Sequence, residues 1–317
     1  MDSQKVEFPR VDLTGLLQVK SDSSCWKMAQ EKVISALANY GGFEAVYGDV
    51  KPGLKTEFFE NIMPKFMSDV SEVSYAQGCP PAVLFQHDLA LKNLCINDPT
   101  SLSSVEDYVK SIWPKGNDLF CNGICNYAKH IQEVGQIIQR MILMSFNLEE
   151  DYESNKFMAS SLILIEYVND KAMDKSRIGM PAHVDANYIS IICQHDVEGL
   201  EIEGPNNEWI CVTPTTNSFT ILAGEVLMAW TNGIFQAGKH RVRMDDFTKR
   251  YSTVFALFPC HGDDKIQMLD KLIDKNLPMT YQPYNYHDYM DFRIVNGMRA
   301  NDDLKCYLET KKANPTI

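Results

Sequence analysis

The sequence predicts an α+β fold in which a jelly-roll type of strand barrel is flanked by helices on its amino- and carboxy-terminal sides. Three observations carry this. Short apolar segments at 200–202, 209–212, 219–222 and 226–230 follow one another at close spacing, with turn clusters between them. Before them, residues 118–148 place Ile124, Tyr127, Ile131, Val134, Ile137, Ile138, Met141, Ile142 and Phe146 at three-and-four spacing, which is a long amphipathic helix. After them, residues 267–274 and 286–301 read as helices.

In chain order, Phe8 to Leu13 opens with a short strand. Residues 25–39 carry Trp26, Met28, Ala29, Val33, Ile34 and Leu37 at helical spacing, and Tyr40-Gly41-Gly42 stops that helix before a strand over 43–47. Val50-Lys51-Pro52-Gly53 marks a turn, and 54–73 reads as a second long helix. Residues 75–115 hold Pro80-Pro81, Pro99 and Pro114 with little periodicity, predicting a loop-rich connection with short strands that faces substrate. His87-Asp88 are adjacent, so on a strand they face opposite sides, which favours a structural or surface role over metal binding. The 118–148 helix is expected on the outside of the barrel, with His130 as an ordinary helix residue. Strands follow at 160–168 and 183–193, separated by a charged loop over 170–180. His195 falls in the next turn and is expected to face solvent. Asn232-Gly233 and Gly238-Lys239 supply turns that bring His240 back across the barrel.

Composition narrows the function classes. With 317 residues, 45% hydrophobic and 23% charged, the chain is an ordinary globular protein, and no linker, repeat or low-complexity tract divides it. A single domain over 1–317 is expected: a variable helical region over 1–115, a core over 157–260, and helices over 265–317. A net charge of −12 with dispersed Lys and Arg argues against nucleic acid. The sequence has neither an apolar run of membrane-spanning length nor a signal-like amino terminus, so a cytoplasmic location and no membrane partner are expected. Nine cysteines without paired spacing fit a reducing compartment, and Cys121 and Cys125 read as buried small hydrophobes.

The chemistry concentrates between His183 and Ser252. On a strand the period of two places His183 and Asp185 on one face, and His240 is the natural third ligand. Two imidazoles and a carboxylate are the ligand set of non-haem Fe(II) oxygenases, which leave three metal positions open. The tripeptide alone carries little weight, because His261-Gly262-Asp263 spells it again. That copy follows Pro259, lacks apolar alternation and reads as a surface turn. Arg250 and Ser252 share a face of an apolar strand, and an Arg fork beside a hydroxyl is a carboxylate receptor. Val254, Ala256 and Phe258 continue that face as candidate substrate contacts.

His-x-Asp, a His 57 positions after the first, and Arg-x-Ser ten further on resemble the plant 2-oxoglutarate-dependent dioxygenase superfamily. Phe8-Pro9-Arg10-Val11-Asp12-Leu13, the Tyr40 to Val46 junction, Trp209, Asn232-Gly233 and Pro259 extend the resemblance over nearly the whole chain. It implies a double-stranded β-helix core, with His183, Asp185 and His240 holding Fe(II) and Arg250 and Ser252 holding the distal carboxylate of 2-oxoglutarate. O2 is then the oxidant, ascorbate is supportive, and hydroxylation is the default outcome, with desaturation, ring closure and dealkylation as variants. The family's Tyr-Tyr-Pro-x-Cys-Pro motif is replaced here by Glu166-Tyr167-Val168-Asn169, so a cosubstrate contact from Tyr167 rests on a partial match. Where relatives often carry Phe, Ala256 leaves room for a bulkier substrate. The junction is most similar to enzymes that tailor glucosinolates, lignans and steroidal alkaloids, which implies a monomer acting on a small plant metabolite. Two alternatives stay open at this level: an Fe(II) oxidase that dispenses with 2-oxoglutarate, and a non-catalytic β-barrel binding protein.

Overall fold

The structure is a computed structural model that describes residues 7–69, 91–148, 158–167, 178–244, 249–259, 265–269, 272, 278–296 and 303–313. His87-Asp88, Val168, Asn169 and the second His-x-Asp at 261–263 lie outside them. The elements in order are β1 (Arg10–Asp12), α1 (Ser24–Tyr40), β2 (Gly42–Val46), then a continuous helical stretch of α2 (Leu54–Thr56), a π-helical turn (Glu57–Ile62) and α3 (Met63–Asp69). Next come β3 (Leu91–Asn97), α4 (Leu102–Ile112), α5 (Asp118–Ser145), β4 (Met158–Tyr167), β5 (Ile178–His183), β6 (Ile189–Gln194), β7 (Leu200–Glu203), β8 (Trp209–Cys211) and β9 (Ser218–Ala223). The chain continues with α6 (Glu225–Trp230), β10 (His240–Arg243), β11 (Arg250–Pro259), β12 (Lys265–Ile266), β13 (Tyr284–Asn285), α7 (Tyr286–Asn296) and α8 (Asp303–Ala313).

Two sheets face each other. The larger runs β1-β2-β9-β6-β11-β4-β3 and the smaller β5-β10-β7-β8, which is the double-stranded β-helix. Strand β11 shows how the alternation builds the core. Arg250, Ser252, Val254, Ala256 and Phe258 turn into the space between the sheets. On its other face Thr253 meets the Tyr127 hydroxyl of α5 at 2.8 Å, and Leu257 lies against Gly135 of the same helix. Gly135 is small for a reason: a Cβ there would sit 3.3 Å from Ile191 and Leu257, so α5 lies close on the sheet. The long helix therefore covers the outer face, as its periodicity predicts, and buries Ile124, Ile131, Val134, Ile138 and Met141.

Helix α1 is capped by Ser23, whose hydroxyl accepts from the Trp26 amide at 3.3 Å, and ends at Gly41 with φ 66. Gly41 permits that left-handed turn, and its close neighbour Gly238 lies within 2.8 Å of where a side chain would start.

Several expectations need correction. Residues 183–193 are not one strand: β5 ends at His183 and β6 begins at Ile189, because the intervening Asp-Ala-Asn stretch has poor strand propensity and forms a bend. Residues 226–230 form helix α6, since a short apolar run has no period that separates strand from helix. The connection before Asp118 contains α4, capped by Ser101 and buried through Val105 and Val109. Residues 267–269 are not helical, and most of the remainder of that predicted helix lies outside the described residues. His195 does not face solvent: its ring stacks on Phe59 of the π-helical turn at 5.1 Å between centroids, and 21% of the side chain is exposed. Among the described residues, no helix is long and apolar enough to cross a membrane.

Candidate active site

The smaller sheet and the bend after β5 bring three metal-binding side chains together. His183 ends β5, His240 begins β10, and the two residues are direct partners in the ladder. Asp185 follows two residues after His183, in the bend. One ligand atom from each lies within 4.8 Å of the others. His183 Nε2 is 3.5 Å and His240 Nε2 4.0 Å from the same Asp185 oxygen, Oδ1. Both rings are held from behind: His183 Nδ1 is 2.8 Å from the Pro181 carbonyl and His240 Nδ1 3.0 Å from the Gly238 carbonyl. A carbonyl accepts only, so each Nδ1 carries the proton and each Nε2 presents its lone pair to the centre. That donor set fits Fe(II).

The bend is fixed from two sides. Helix α6 starts against it, with the Glu225 amide donating to the Asp185 carbonyl at 2.8 Å and the Gly224 amide to the Tyr188 carbonyl at 3.0 Å. From α7, Arg293 Nη2 donates to the Val184 carbonyl at 3.1 Å, while its Nη1 meets Glu225 Oε2 at 2.9 Å. Arg293 is 4% exposed, and Asp303 lies 3.6 Å from its Nε. Asp185 itself is oriented by Ser190, whose hydroxyl is bonded in turn by Asn187 Nδ2 at 2.7 Å. Burial would raise the Asp185 pKa. The neighbouring His240 and His183 rings and the Ser190 hydrogen bond outweigh it and hold the carboxyl below the usual range. Burial, and after it the neighbouring His183 ring, push His240 down to about 4.

Across the cavity, β11 supplies the anchor. Arg250, 1% exposed, stands over the Tyr167 ring at 4.9 Å, because the two residues are partners in the β4–β11 ladder. Its Nη2 donates to Gln194 Oε1 at 2.9 Å and its Nη1 to the Ser252 hydroxyl at 3.3 Å, while Nε is buried without a partner. Gln194 is fixed by the Val212 carbonyl at 2.9 Å. Such a preset fork suits a carboxylate.

One cavity is lined by His183, Asp185 and His240, by Arg250, Ser252 and Tyr167, and by Val254, Ala256 and Phe258. Every residue singled out on the sequence for metal, cosubstrate or substrate thus faces the same space. Sequence reasoning missed Ser190, Gln194, Arg293, Tyr286 and Met290. Ser190 lines the cavity and Gln194, of the same parity on β6, bonds Arg250, so both were open to the same period-two argument, whereas α7 reaches the cavity only through the tertiary fold.

Residues 159–259 match the 2OG-Fe(II) oxygenase superfamily. Over 301 residues the chain is 29% identical to a probable 2-oxoglutarate-dependent dioxygenase, AOP1, of Arabidopsis thaliana, covering 92% of this chain and 97% of that protein. The rice dioxygenase for auxin oxidation shares the fold with a TM-score of 0.78 at 21% identity, over 94% of this chain and 98% of that one. The Arabidopsis thaliana auxin-oxidation dioxygenase, solved as a 2-oxoglutarate complex, does so with a TM-score of 0.71 at 21% identity, over 86% and 99%. The chain thus carries a 2OG-Fe(II) oxygenase domain match over its core and aligns almost end to end with plant 2-oxoglutarate-dependent dioxygenases.

Proposed function

We propose that this chain is an Fe(II)- and 2-oxoglutarate-dependent dioxygenase that oxidises a small plant specialised metabolite, releasing succinate and CO2. The observation that carries the reading is the single cavity shared by the His183, Asp185, His240 cluster and the preset Arg250 fork. His183, Asp185 and His240 would hold the metal. Arg250 and Ser252 would hold the distal carboxylate of 2-oxoglutarate, with Gln194 fixing the guanidinium and Tyr167 packed beneath it. Bound there, Fe(II) with its cosubstrate supplies the oxidising power for hydroxylation, ring closure, desaturation or dealkylation.

The chain's own part is to bind, orient and keep water out. Val254, Ala256 and Phe258 form one wall and Met180, Leu200 and Val242 the facing one, so a substrate is pressed between apolar surfaces beside the ligand cluster. The reading takes residues 1–317 as one domain, supported by the packing of α1 and α5 beside the cavity-bearing sheet. It also takes the protein to be a monomer working in the cytoplasm without a membrane partner, and the dispersed basic residues with a net charge of −12 weigh against a nucleic-acid partner.

A panel of plant metabolites assayed for succinate release and product mass tests the reading. Stoichiometric succinate with an oxidised product is expected. Product formation without succinate would instead favour an iron oxidase that uses Arg250 for its own substrate.

A further inference from the structure

Within the cavity, three lining side chains have a buried polar atom without a hydrogen-bond partner: Arg250 Nε, Asn187 Oδ1 and the Tyr286 hydroxyl. Such atoms are costly to leave unpaired, so each is a candidate position for a ligand contact. Arg250 belongs to the cosubstrate anchor. Asn187 Oδ1 is pressed against Gly224, where an added Cβ would come within 2.5 Å of it, so it is not offered to a ligand. Tyr286 remains.

Tyr286 is the first residue of α7 and is 5% exposed. Its ring lies 6.4 Å from that of Phe258, on the wall already read as substrate-facing. Burial raises its pKa, so the hydroxyl keeps its proton and is available as a donor. The cavity's cations are otherwise committed. Arg250 serves the cosubstrate, and Arg293 is consumed by Glu225, Asp303 and the Val184 carbonyl. Among the described lining residues no further Lys or Arg is left to receive a substrate carboxylate.

We propose that Tyr286 orients the substrate by donating a hydrogen bond to a neutral oxygen, a carbonyl or hydroxyl, on an otherwise apolar small molecule. The proposal rests on the dioxygenase reading only in taking this cavity to be the substrate cavity. It makes Tyr286 a specificity residue on the helix that also carries Arg293, so the substrate's polar group is held on the same support as the bend between His183 and Asp185.

The test uses the full chain loaded anaerobically with Fe(II) and 2-oxoglutarate, titrated calorimetrically with three probes of nearly equal shape: acetophenone, α-methylstyrene and benzoate. Acetophenone should bind about fivefold more tightly than α-methylstyrene, the size of one neutral hydrogen bond. In Tyr286→Phe, which keeps the ring, that ratio should fall to about one while α-methylstyrene binds as before. Benzoate should bind no more tightly than acetophenone. A ratio that survives Tyr286→Phe, no preference in the wild type, or a preference for benzoate overturns the proposal. The charge-transfer absorption of bound 2-oxoglutarate in the same samples separates the two readings. Its failure to form counts against the dioxygenase reading, and the probe ratio measured on metal-free protein still decides on Tyr286.

Discussion

Ser190 Oγ donates to Asp185 Oδ2 at 2.5 Å, and Ser190 in turn accepts from Asn187 Nδ2 at 2.7 Å. The proposed carboxylate ligand is therefore oriented by a relay that starts on β6 of the larger sheet, while its histidine partners sit on the smaller one. Ser190→Ala leaves one Asp185 oxygen and the Asn187 amide without their partners. Loss of a partner that orients a metal ligand typically weakens metal binding about 10- to 100-fold. Anaerobic titration with Fe(II) or Co(II) measures this directly, and wild-type affinity in Ser190→Ala would show the relay to be idle.

Arg250 should govern 2-oxoglutarate affinity and leave metal affinity largely intact, because it stands on β11 across the cavity from the ligand cluster. Truncating one partner of a desolvated charge pair costs about 2 to 5 kcal/mol. For Arg250→Leu that is a loss of roughly 30-fold to several thousandfold in affinity. Arg250→Lys should fall between, keeping the charge but not the fork. Ser252→Ala should cost about 1 kcal/mol. Charge-transfer titration of each Fe(II)-loaded variant is the readout, and unchanged binding by Arg250→Leu would remove the residue from the cosubstrate site.

What the sequence made legible follows the range of the interactions. The five inward residues of β11 were readable because a strand's parity is local and the strand is long. His183 and Asp185 lie together, though not through the shared strand face expected: a bend, held by the Glu225 amide and Arg293, turns Asp185 toward His183. Helix α4 was readable in principle from Leu102, Val105, Val109 and Ile112 at spacings of three, four and three, yet the surrounding prolines outweighed it. Helix α6 was not, since its apolar run is too short to have a period. Nor was the Glu225, Arg293 and Asp303 group, whose members are brought together by helices distant in sequence and leave no local mark.

Ala256 is 1% exposed, lines the cavity and sits in the ladder opposite Ser161 and Ser190. Ala256→Phe fills space beside the ligand cluster without touching Arg250. It should shift which substrates are accepted more than it changes uncoupled 2-oxoglutarate decarboxylation, as measured by succinate release over a substrate panel. An unaltered substrate profile would take the residue out of the specificity wall.

The pH dependence of the metal-free protein should carry the mark of His240. Its folded pKa is pushed down to about 4 from the ordinary 6.5, so between those values the unfolded chain binds a proton that the folded chain refuses. Stability rises with pH where the unfolded state holds more protons. The contribution is thus complete above about pH 6.5 and is lost as pH falls toward 4. Urea midpoints at pH 7, 5.5 and 4.5 should drop more steeply for wild type than for His240→Asn. Parallel curves would contradict the buried, neutral ring.

Arg293 should matter to both stability and metal binding, and the two effects can be told apart. Its guanidinium is buried, meets Glu225 at 2.9 Å, lies 3.6 Å from Asp303 and donates to the Val184 carbonyl in the bend between two proposed ligands. The Tyr289 hydroxyl and the Leu304 amide also donate to Glu225, so α7 and α8 both close on one carboxylate. Arg293→Met leaves Glu225 and Asp303 as neighbouring buried carboxylates without their cation. Breaking such a pair from one side typically costs about 3 to 5 kcal/mol. Removing the charge on the other side as well, in Arg293→Met with Glu225→Gln, should recover part of that loss in urea denaturation, because the penalty is mainly an uncompensated charge. Metal affinity should not recover with it, since neither substitution restores the donor to Val184. A double variant that regains both stability and Fe(II) affinity would mean that Arg293 supports the helices alone, and one as unstable as Arg293→Met would mean that charge is not what the network balances.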